Sequence, residues 1–542
     1  MAHKLPSSEG YKLHRFSFFF VLLAQLWNLA PILLAAIFVG RSDRYDGWEI
    51  IGTSFAAIAL SVYTLIYTLS FRFWLLEDEI VIKKGFFDRT LRHIPFARIS
   101  NIAHKQNLLH RIFRVVELNL ESGSGAQSEA KLTVLTKMQA ADLEQKIRAY
   151  QLSVARRTIL KDGIKDSAVS ETLTQDVADF NARTEETLLS RTRFGDLIRL
   201  GLISNRGMLL IGGGFYFFSQ TGLSKNNVFK AIGNMVRDWL GGSHGPLFWM
   251  LSALISMMLI LAVVRLASIV VAIVQFYDFK LSGSESTLRS ESGLLTRQGG
   301  QARVERIALI VIIDGWLYRL LHRQSVQVYL PGNAIQGDSM ERSGMTRLTP
   351  VASPEHVQTL IERIFDLQIS ALRWHPLAPK AGRRMARKAL FFGALVWAPV
   401  IVMASLKVNS AAMAALGCAA LLTFAWLFYS RHKNARESGY VLLPDFWIIK
   451  TGYFSQTIQL VRRDAIQSAS FSTSHFDRSS NMAKVRVDLM VGSMSATPEL
   501  GYLTKLDAEL LFKELRTDSM AKSQSETARN RIENASAVNA GA

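Results

Sequence analysis

The chain has 542 residues, 49% hydrophobic and only 20% charged, with a mean hydropathy of +0.16. That balance excludes an ordinary soluble globular protein, which carries more charge and less apolar mass. The net charge of +19 gathers beside apolar runs, which points to a membrane surface and away from nucleic acid. A single cysteine, Cys418, excludes a disulfide framework and a cysteine-based metal site.

In chain order, residues 1–70 hold an N-terminal segment and a first transmembrane pair. Phe16–Val39 runs 24 residues and Ile50–Ser70 runs 21 without a charged side chain. Either length crosses a hydrocarbon core of about 30 Å as a helix. Lys4, Lys12 and Arg15 precede the first run, but it is too long for a signal-peptide core and no cleavage pattern follows. It is therefore read as retained.

Residues 71–150 read as a first β-rich domain, and 151–206 as a linker. Within that linker Gln151–Ser190 is polar and is expected to be mobile or loosely helical. Arg191–Arg206 sets Leu197, Ile198, Leu200, Leu202 and Ile203 among four arginines, which suits a helix lying in the membrane interface.

Residues 207–277 hold a second pair. Gly207–Leu223 is short, and is assigned because the other spans are paired; Pro246–Val264 continues its apolar pattern to Val274. Between them Val228, Ile232, Met235, Val236 and Trp239 are spaced as an outer interfacial helix. The run Gly212, Gly213, Gly214 is expected to permit close helix packing. Arg265 is expected at the cytoplasmic edge of the fourth span, snorkelling to water.

A second β-rich domain occupies 278–366. A basic linker and a third pair occupy 367–436, with spans at Ala389–Leu406 and Ala411–Ser430. A third domain occupies 437–517, and the polar tail 518–542 reads as disordered. Arg72, Lys83 and Lys84 follow span two. Lys380, Arg383, Arg384, Arg387 and Lys388 precede span five, and Arg431, Lys433 and Arg436 follow span six. Positive charge of this kind marks the cytoplasmic side, so both termini and all three domains are expected in the cytoplasm.

The three β-rich segments are repeats of one another. They align without a gap at offsets of 208 and 367, which superimpose Gly85, Gly293 and Gly452. The same offsets bring together Ile99, Ile307 and Ile466; Leu109, Leu317 and Phe476; and Arg111, Arg319 and Arg478. They also match the pairs Leu118/Leu120, Val326/Val328 and Val485/Val487. Alternating apolar residues predict strands, and the shared glycine suits a turn at positive φ. Each repeat ends in an amphipathic stretch: Ala140–Tyr150, Pro354–Phe365 and Leu506–Leu515. In the last, Leu506, Leu510, Leu511 and Leu515 are expected to face the core.

The run Ile94–Leu120 resembles the bacterial pleckstrin-homology-like, membrane-flanked domain family in its three-domain, six-span form. The matching positions are Pro95, Arg98, Ile99, Leu109, Arg111 and Phe113. The second repeat keeps Arg306, Ile307, Leu317, Arg319 and Leu321 with Arg303 in place of the proline. The third keeps Ile466, Phe476 and Arg478, with Ala465 where an arginine belongs. The resemblance implies three cytoplasmic pleckstrin-homology-like domains on a multi-pass helical membrane protein, each a small β-barrel or sandwich with a C-terminal helix. It implies no catalysis and no cofactor. It also suggests a role in envelope or membrane homeostasis at the bacterial cytoplasmic membrane, with a shorter membrane protein of the same domain type as a possible companion.

Candidate contact residues for a lipid phosphate or a partner carboxylate are Arg111, Arg319 and Arg478, since a guanidinium forks onto both. A fold requirement produces the same recurrence, and a structural role is the preferred reading of these three. Arg383, Arg384, Arg387, Lys388, Arg431 and Lys433 are candidates for anionic head groups, on top of their role in setting topology. No zinc spacing, phosphate loop or nucleophile elbow is present. The function read from the sequence is a non-enzymatic membrane-anchored scaffold. The alternative is a transport component gated by the cytoplasmic domains, which the absence of Asp and Glu from the assigned spans weakens.

Overall fold

The computed structural model describes 70–84, 90–122, 130–161, 187–220, 246–284, 287–330, 347–405, 410–489 and 497–516, together with Tyr11, Lys12 and isolated positions up to 66. Nearly all of the first span, more than half of the second, the expected Val228–Leu240 helix, Gly85 and the tail 518–542 lie outside the described residues. Two compact units divide the chain: residues 1–123, 128–284 and 289–301 form one, and the remaining residues form the other.

The first repeat opens with β1 (Tyr11–Lys12), β2 (Arg72–Leu75), β3 (Glu79–Lys84) and β4 (Thr90–Pro95), a four-stranded antiparallel sheet in sequence order. It continues through β5 (Ile99–Asn107), β6 (Val115–Ser122) and β7 (Ala130–Thr136) into helix α1 (Lys137–Lys161). Period-2 alternation turns Phe73, Ile80, Ile82 and Ile94 toward Leu118, Leu120, Leu132 and Leu135. Ala140, Leu143 and Ile147, at helical spacing on α1, close the end of this core. The helix runs on to Lys161, so the segment expected as linker begins helical.

That segment also ends differently from expectation. β8 (Thr187–Arg191) is a strand, paired with β9 (Lys280–Gly283). Between them come α2 (Phe194–Ile203), α3 (Arg206–Gln220) and α4 (Pro246–Phe276). The second repeat adds β10 (Thr287–Ser292), β11 (Thr296–Arg303), β12 (Leu309–Gly315), β13 (Gln324–Tyr329), β14 (Arg347–Ala352), α5 (Pro354–Phe365) and β15 (His375–Pro376). Helix α5 starts where sequence predicts it. Ser353 caps it by accepting from His356 N, Pro354 takes the first turn, and Asp366 at φ 51 ends it.

A helical hairpin follows, α6 (Ala381–Ser405) and α7 (Ser410–Glu437). The third repeat is β16 (Gly439–Leu442), β17 (Phe446–Thr451), β18 (Ser455–Arg462), β19 (Ile466–Ser472), β20 (Met482–Leu489), β21 (Glu499–Thr504) and α8 (505–516). Trp447, Ile449 and Val461 pack with Val485, Val487, Leu489 and Leu503. On α8 the core face is Ala508, Leu511 and Leu515; Leu506 and Leu510 are exposed, against expectation. The small alanine lets α8 sit close, which rotates the two outer leucines away from the sheet.

A repeat does not close its sheet alone. β5 of the first repeat pairs antiparallel with β11 of the second, giving the strand order β7-β6-β5-β11-β10-β9-β8. β12 of the second pairs with β18 of the third, giving β14-β13-β12-β18-β17-β16-β15. The repeats, each expected as a small β-barrel or sandwich, share sheets, with strands of one continuing into the neighbouring repeat. The physical reason is the exposed row of backbone N–H and C=O groups at any sheet edge, which an equivalent strand satisfies. The shared glycines behave as expected where described. Gly293 (φ 117) and Gly452 (φ 95) leave no room for a Cβ, which would lie 2.0 Å from the Thr296 and Ser455 carbonyl oxygens.

Three helical stretches are long and apolar enough to cross a membrane: Leu254–Phe276, Ala381–Val402 and Met413–Glu437. α3, in the expected third span, has 15 residues. α2 is amphipathic as expected, but its buried face, Leu197, Leu200 and Ile203, packs on α4 instead of facing lipid. The approach is close enough that a Cβ on Gly201 would lie 2.3 Å from Ile269 Cα. Arg265, expected at the edge of the fourth span, is held by α2. Its guanidinium donates to Leu202 O (3.0 Å), Ser204 O (3.2 Å) and Asn205 Oδ1 (3.0 Å), satisfying carbonyls left open at the C-terminal end of α2.

Among the described residues, close packing is made at a different glycine from the expected Gly212, Gly213 and Gly214. A Cβ on any of them meets nothing within 4 Å among the described residues. Close packing falls to Gly207, whose N–H donates to Ser268 Oγ at 2.9 Å and whose Cβ would lie 2.4 Å from Val264 O. Gly207→Ala should therefore lower the thermal stability of the protein in lipid particles by about 1–3 kcal/mol, as overpacking does. Gly213→Ala should be neutral or stabilising by about 1 kcal/mol, the difference in helix propensity. Melting curves followed by size-exclusion chromatography check both.

Candidate functional site

At the base of the α6–α7 hairpin the juxtamembrane basic residues take different roles. Helical spacing on α6 brings Met385, Lys388, Phe392 and Val396 to one side, opposite Leu427, Arg431 and Asn434 of α7. Gly393 permits this, since a Cβ there would already touch Phe424 and Leu427 at 3.0 and 3.1 Å. Together with Leu500, Gly501 and Tyr502 of β21 they line an open crevice of about 770 Å³.

The crevice is two-natured. Phe392, Val396, Trp397 and Leu427 make an apolar wall along the hairpin, and the exposed cations Lys388 and Arg431 stand on the domain side. Tyr502 holds φ 63, a conformation rare for a bulky side chain, while its carbonyl accepts from Ala378 N at 2.9 Å. Burial pushes its phenol above the usual tyrosine range. Among the described residues no carboxylate lines the crevice. An apolar wall bordered by cations has the chemistry that would suit an amphiphile with an anionic head.

Arg384, expected to face lipid head groups, points elsewhere. It lies mostly buried, pairs with Asp477 Oδ1 at 3.1 Å and sits 5.2 Å over the Phe476 ring. It therefore ties α6 to the loop before β20. Lys433 stacks at 5.4 Å over the Tyr453 ring of the third repeat. Arg383 and Arg387 are exposed.

The aligned arginines are parts of the junctions between repeats. Arg111 donates to Leu294 O at 3.3 Å, in the residue after the turn glycine of the second repeat. Arg319 reaches the corresponding place in the third repeat. It donates to Gln456 Oε1 at 3.4 Å and lies 5.9 Å over the ring of Tyr453, the residue after Gly452. It is also held by Asp314 at 3.3 Å. Arg478, in the last repeat, donates to Thr473 Oγ1 at 3.4 Å within its own loop. Sequence spacing marks these positions but not what they touch, because Arg111 and Arg319 reach into the next repeat. The apolar wall and Tyr502 went unnoticed, although the spacing of Met385, Lys388, Phe392 and Val396 carried the signal. Among the described residues no group of three or more His, Cys, Asp and Glu is placed to hold a metal ion.

Burial pushes the Asp314 carboxyl above the ordinary carboxylate range, and Arg319 and Gln324 offset this in part. A carboxyl raised on folding lends stability that is complete below its unfolded pKa and lost as pH rises through the folded value. Arg319→Ala removes an offsetting cation from the charged form. It should cost about 0.5–1 kcal/mol, the range of a partly exposed ion pair. By the same linkage the loss should be larger near pH 7 than near pH 5. Thermal melts of both proteins at the two pH values check the sign, and Arg478→Ala should show neither effect.

Comparison with known families bears on the whole chain. The family model of the bacterial PH domain matches three times, over residues 18–151, 238–364 and 391–518. No curated protein matches the chain. Each matched stretch takes in both apolar sequence and the sheets that follow it, and together they cover well over half of the protein. The chain belongs to the bacterial PH domain family and carries three copies of the domain.

Proposed function

We propose that this protein is a non-enzymatic scaffold of the bacterial cytoplasmic membrane that holds an anionic lipid in the crevice between α6, α7 and the third domain. It is a multi-pass protein in this reading, with both termini and all three domains cytoplasmic. Bacterial PH-like domains suggest a membrane-associated binding role, and the crevice supplies a place for it. The observation that carries the reading is the pairing of Lys388 and Arg431 with an apolar wall at the end of two membrane-length helices. A phosphate at the two cations leaves its acyl chains along Phe392, Val396 and Trp397. Near an anionic surface each cation contributes roughly 1 kcal/mol.

Arg384 and Lys433 add a mechanical part. They join the hairpin to the third domain through Asp477 and Tyr453, so that lipid in the crevice bears on the orientation of that domain. A scaffold needs such fixed presentation, because tethering raises the local concentration of whatever its domains bind. Gating of a transport path has less behind it. The apolar stretches of α4, α6 and α7 contain no Asp or Glu before Glu437.

The test is extraction of the full chain in polymer-bounded lipid particles, without detergent, with the retained lipids quantified by mass spectrometry. Lys388→Ala with Arg431→Ala should lower the enrichment of anionic over zwitterionic lipid by about tenfold or more, from roughly 1 kcal/mol for each cation. Arg383→Ala with Arg387→Ala removes the same charge outside the crevice and should change enrichment much less. Equal losses from the two pairs would reduce the site to unspecific surface attraction and sink the proposal.

A further inference from the structure

The two internal junctions are the same junction. β4, β11 and β18 are equivalent strands of the three repeats, and so are β5, β12 and β19. In the first junction Gly299 lies opposite His104 and Gln298 opposite Lys105. In the second, Ile458 lies opposite Ile312 and Thr457 opposite Ile313. At offsets of 208 and 367 these are identical positions, so the register is conserved to the residue. Three repeats bring three strands of each kind, and the junctions use two of each. β4 is the terminal strand of the first sheet and β19 the terminal strand of the last, among the described strands.

We propose that a second copy of this chain fills both ends, β4 of one copy pairing antiparallel with β19 of the next in the register of the internal junctions. The proposal goes beyond lipid binding and does not depend on it. The register sets Thr90 opposite Ser472, Leu91 opposite Phe471, Arg92 opposite Ser470 and Ile94 opposite Ser468. Leu91 is 42% exposed and meets a half-buried phenyl ring, an apolar pair at the place held by Ile458 and Ile312 in the second junction.

β19 lacks the charges and proline that commonly blunt an edge. Its Gln467, Ser468, Ser470 and Ser472 are exposed. Its register shift between Ile466 and Ser468 does not prevent pairing, because β5 carries the same shift between Ile99 and Asn101 and still pairs with β11. Pro95 ends β4 where the third repeat has Arg462, whose N–H donates to Ala308 O, so the new junction lacks that one bond. The pairing is heterologous, joining unlike surfaces, so copies add head to tail instead of closing as a twofold dimer. Confinement of both copies to one membrane raises their effective concentration.

The experiment uses the full chain in its membrane, with Cys418→Ala as background. Differently tagged chains carrying Thr90→Cys and Ser472→Cys are co-expressed, and the membranes are oxidised. Opposed residues of an antiparallel pair lie within disulfide reach. A disulfide-linked dimer bearing both tags is the expected product, and a chain carrying both cysteines should give a ladder of higher multiples. Thr90→Cys with Ser468→Cys, four residues out of register, should yield at least fivefold less dimer. Ser470→Lys, facing Arg92, should reduce the in-register product, and adding Arg92→Glu should restore it. Absence of the mixed dimer, equal yields in and out of register, or a bond formed only within one chain would each overturn the proposal.

Discussion

A sheet edge is an unfinished structure, and this protein is organised around finishing it. Every edge strand presents backbone donors and acceptors that must find partners or water. Here the partner is the equivalent strand of the next repeat, so β5 meets β11 and β12 meets β18. A slip of one residue would turn every side chain to the opposite face. The alternation that buries Leu118 and Leu120 in one repeat, and Val485 and Val487 in another, therefore constrains the junctions as well as the cores. A repeat keeps its register because its neighbours would lose theirs.

The membrane-length helices are tied to this framework by polar contacts at their ends. Arg265 takes up carbonyls of the α2 terminus, and Ser268 receives the N–H of Gly207, so α4 fixes both helices that precede it. On the other hairpin, Arg384 pairs with Asp477 and Lys433 lies over Tyr453. A partly buried guanidinium that has lost much of its water is held by a matched carboxylate more firmly than at a surface. The cations that continue to face solvent, Lys388 and Arg431 among them, are those not used in this way. The basic clusters thus separate into joints and exposed cations, a division that net charge does not reveal.

Much of the fold was legible in the sequence because it rests on local periodicity. Strand alternation in Val485–Leu489, the Ser-Pro start of α5 and the turn glycines Gly293 and Gly452 each depend on a few neighbouring residues. What escaped depends on contacts distant in sequence. Sharing of sheets pairs residues about 150 to 200 positions apart, and nothing in β5 alone distinguishes closure on itself from pairing with β11. The glycine run 212–214 resembles a packing motif, yet among the described residues α4 is met at Gly207, before that run. Leu506 and Leu510 fit an apolar stripe as well as Leu511 does, and only the position of Ala508 against the sheet decides which leucines are buried. The crevice was half visible. Its cations stood out, whereas its apolar wall was absorbed into a span.

The aligned arginines show why recurrence at fixed spacing needs a structural explanation before a functional one. A ligand contact repeated three times would require three similar binding surfaces, each with its own partner groups. A junction latch requires only the neighbour that the register already supplies. Arg111 and Arg319 behave as latches, each reaching the start of the strand after the turn in the following repeat, at Leu294 and near Tyr453. Their geometry follows from the strand pairing, since the short helix that bears each arginine connects the pairing strand β5 or β12 to the next. Arg478, in the third repeat, turns to Thr473. Two of these arginines cross a junction and one folds back within its own repeat, so the same position is used in a junction wherever the next repeat's strand lies beside it.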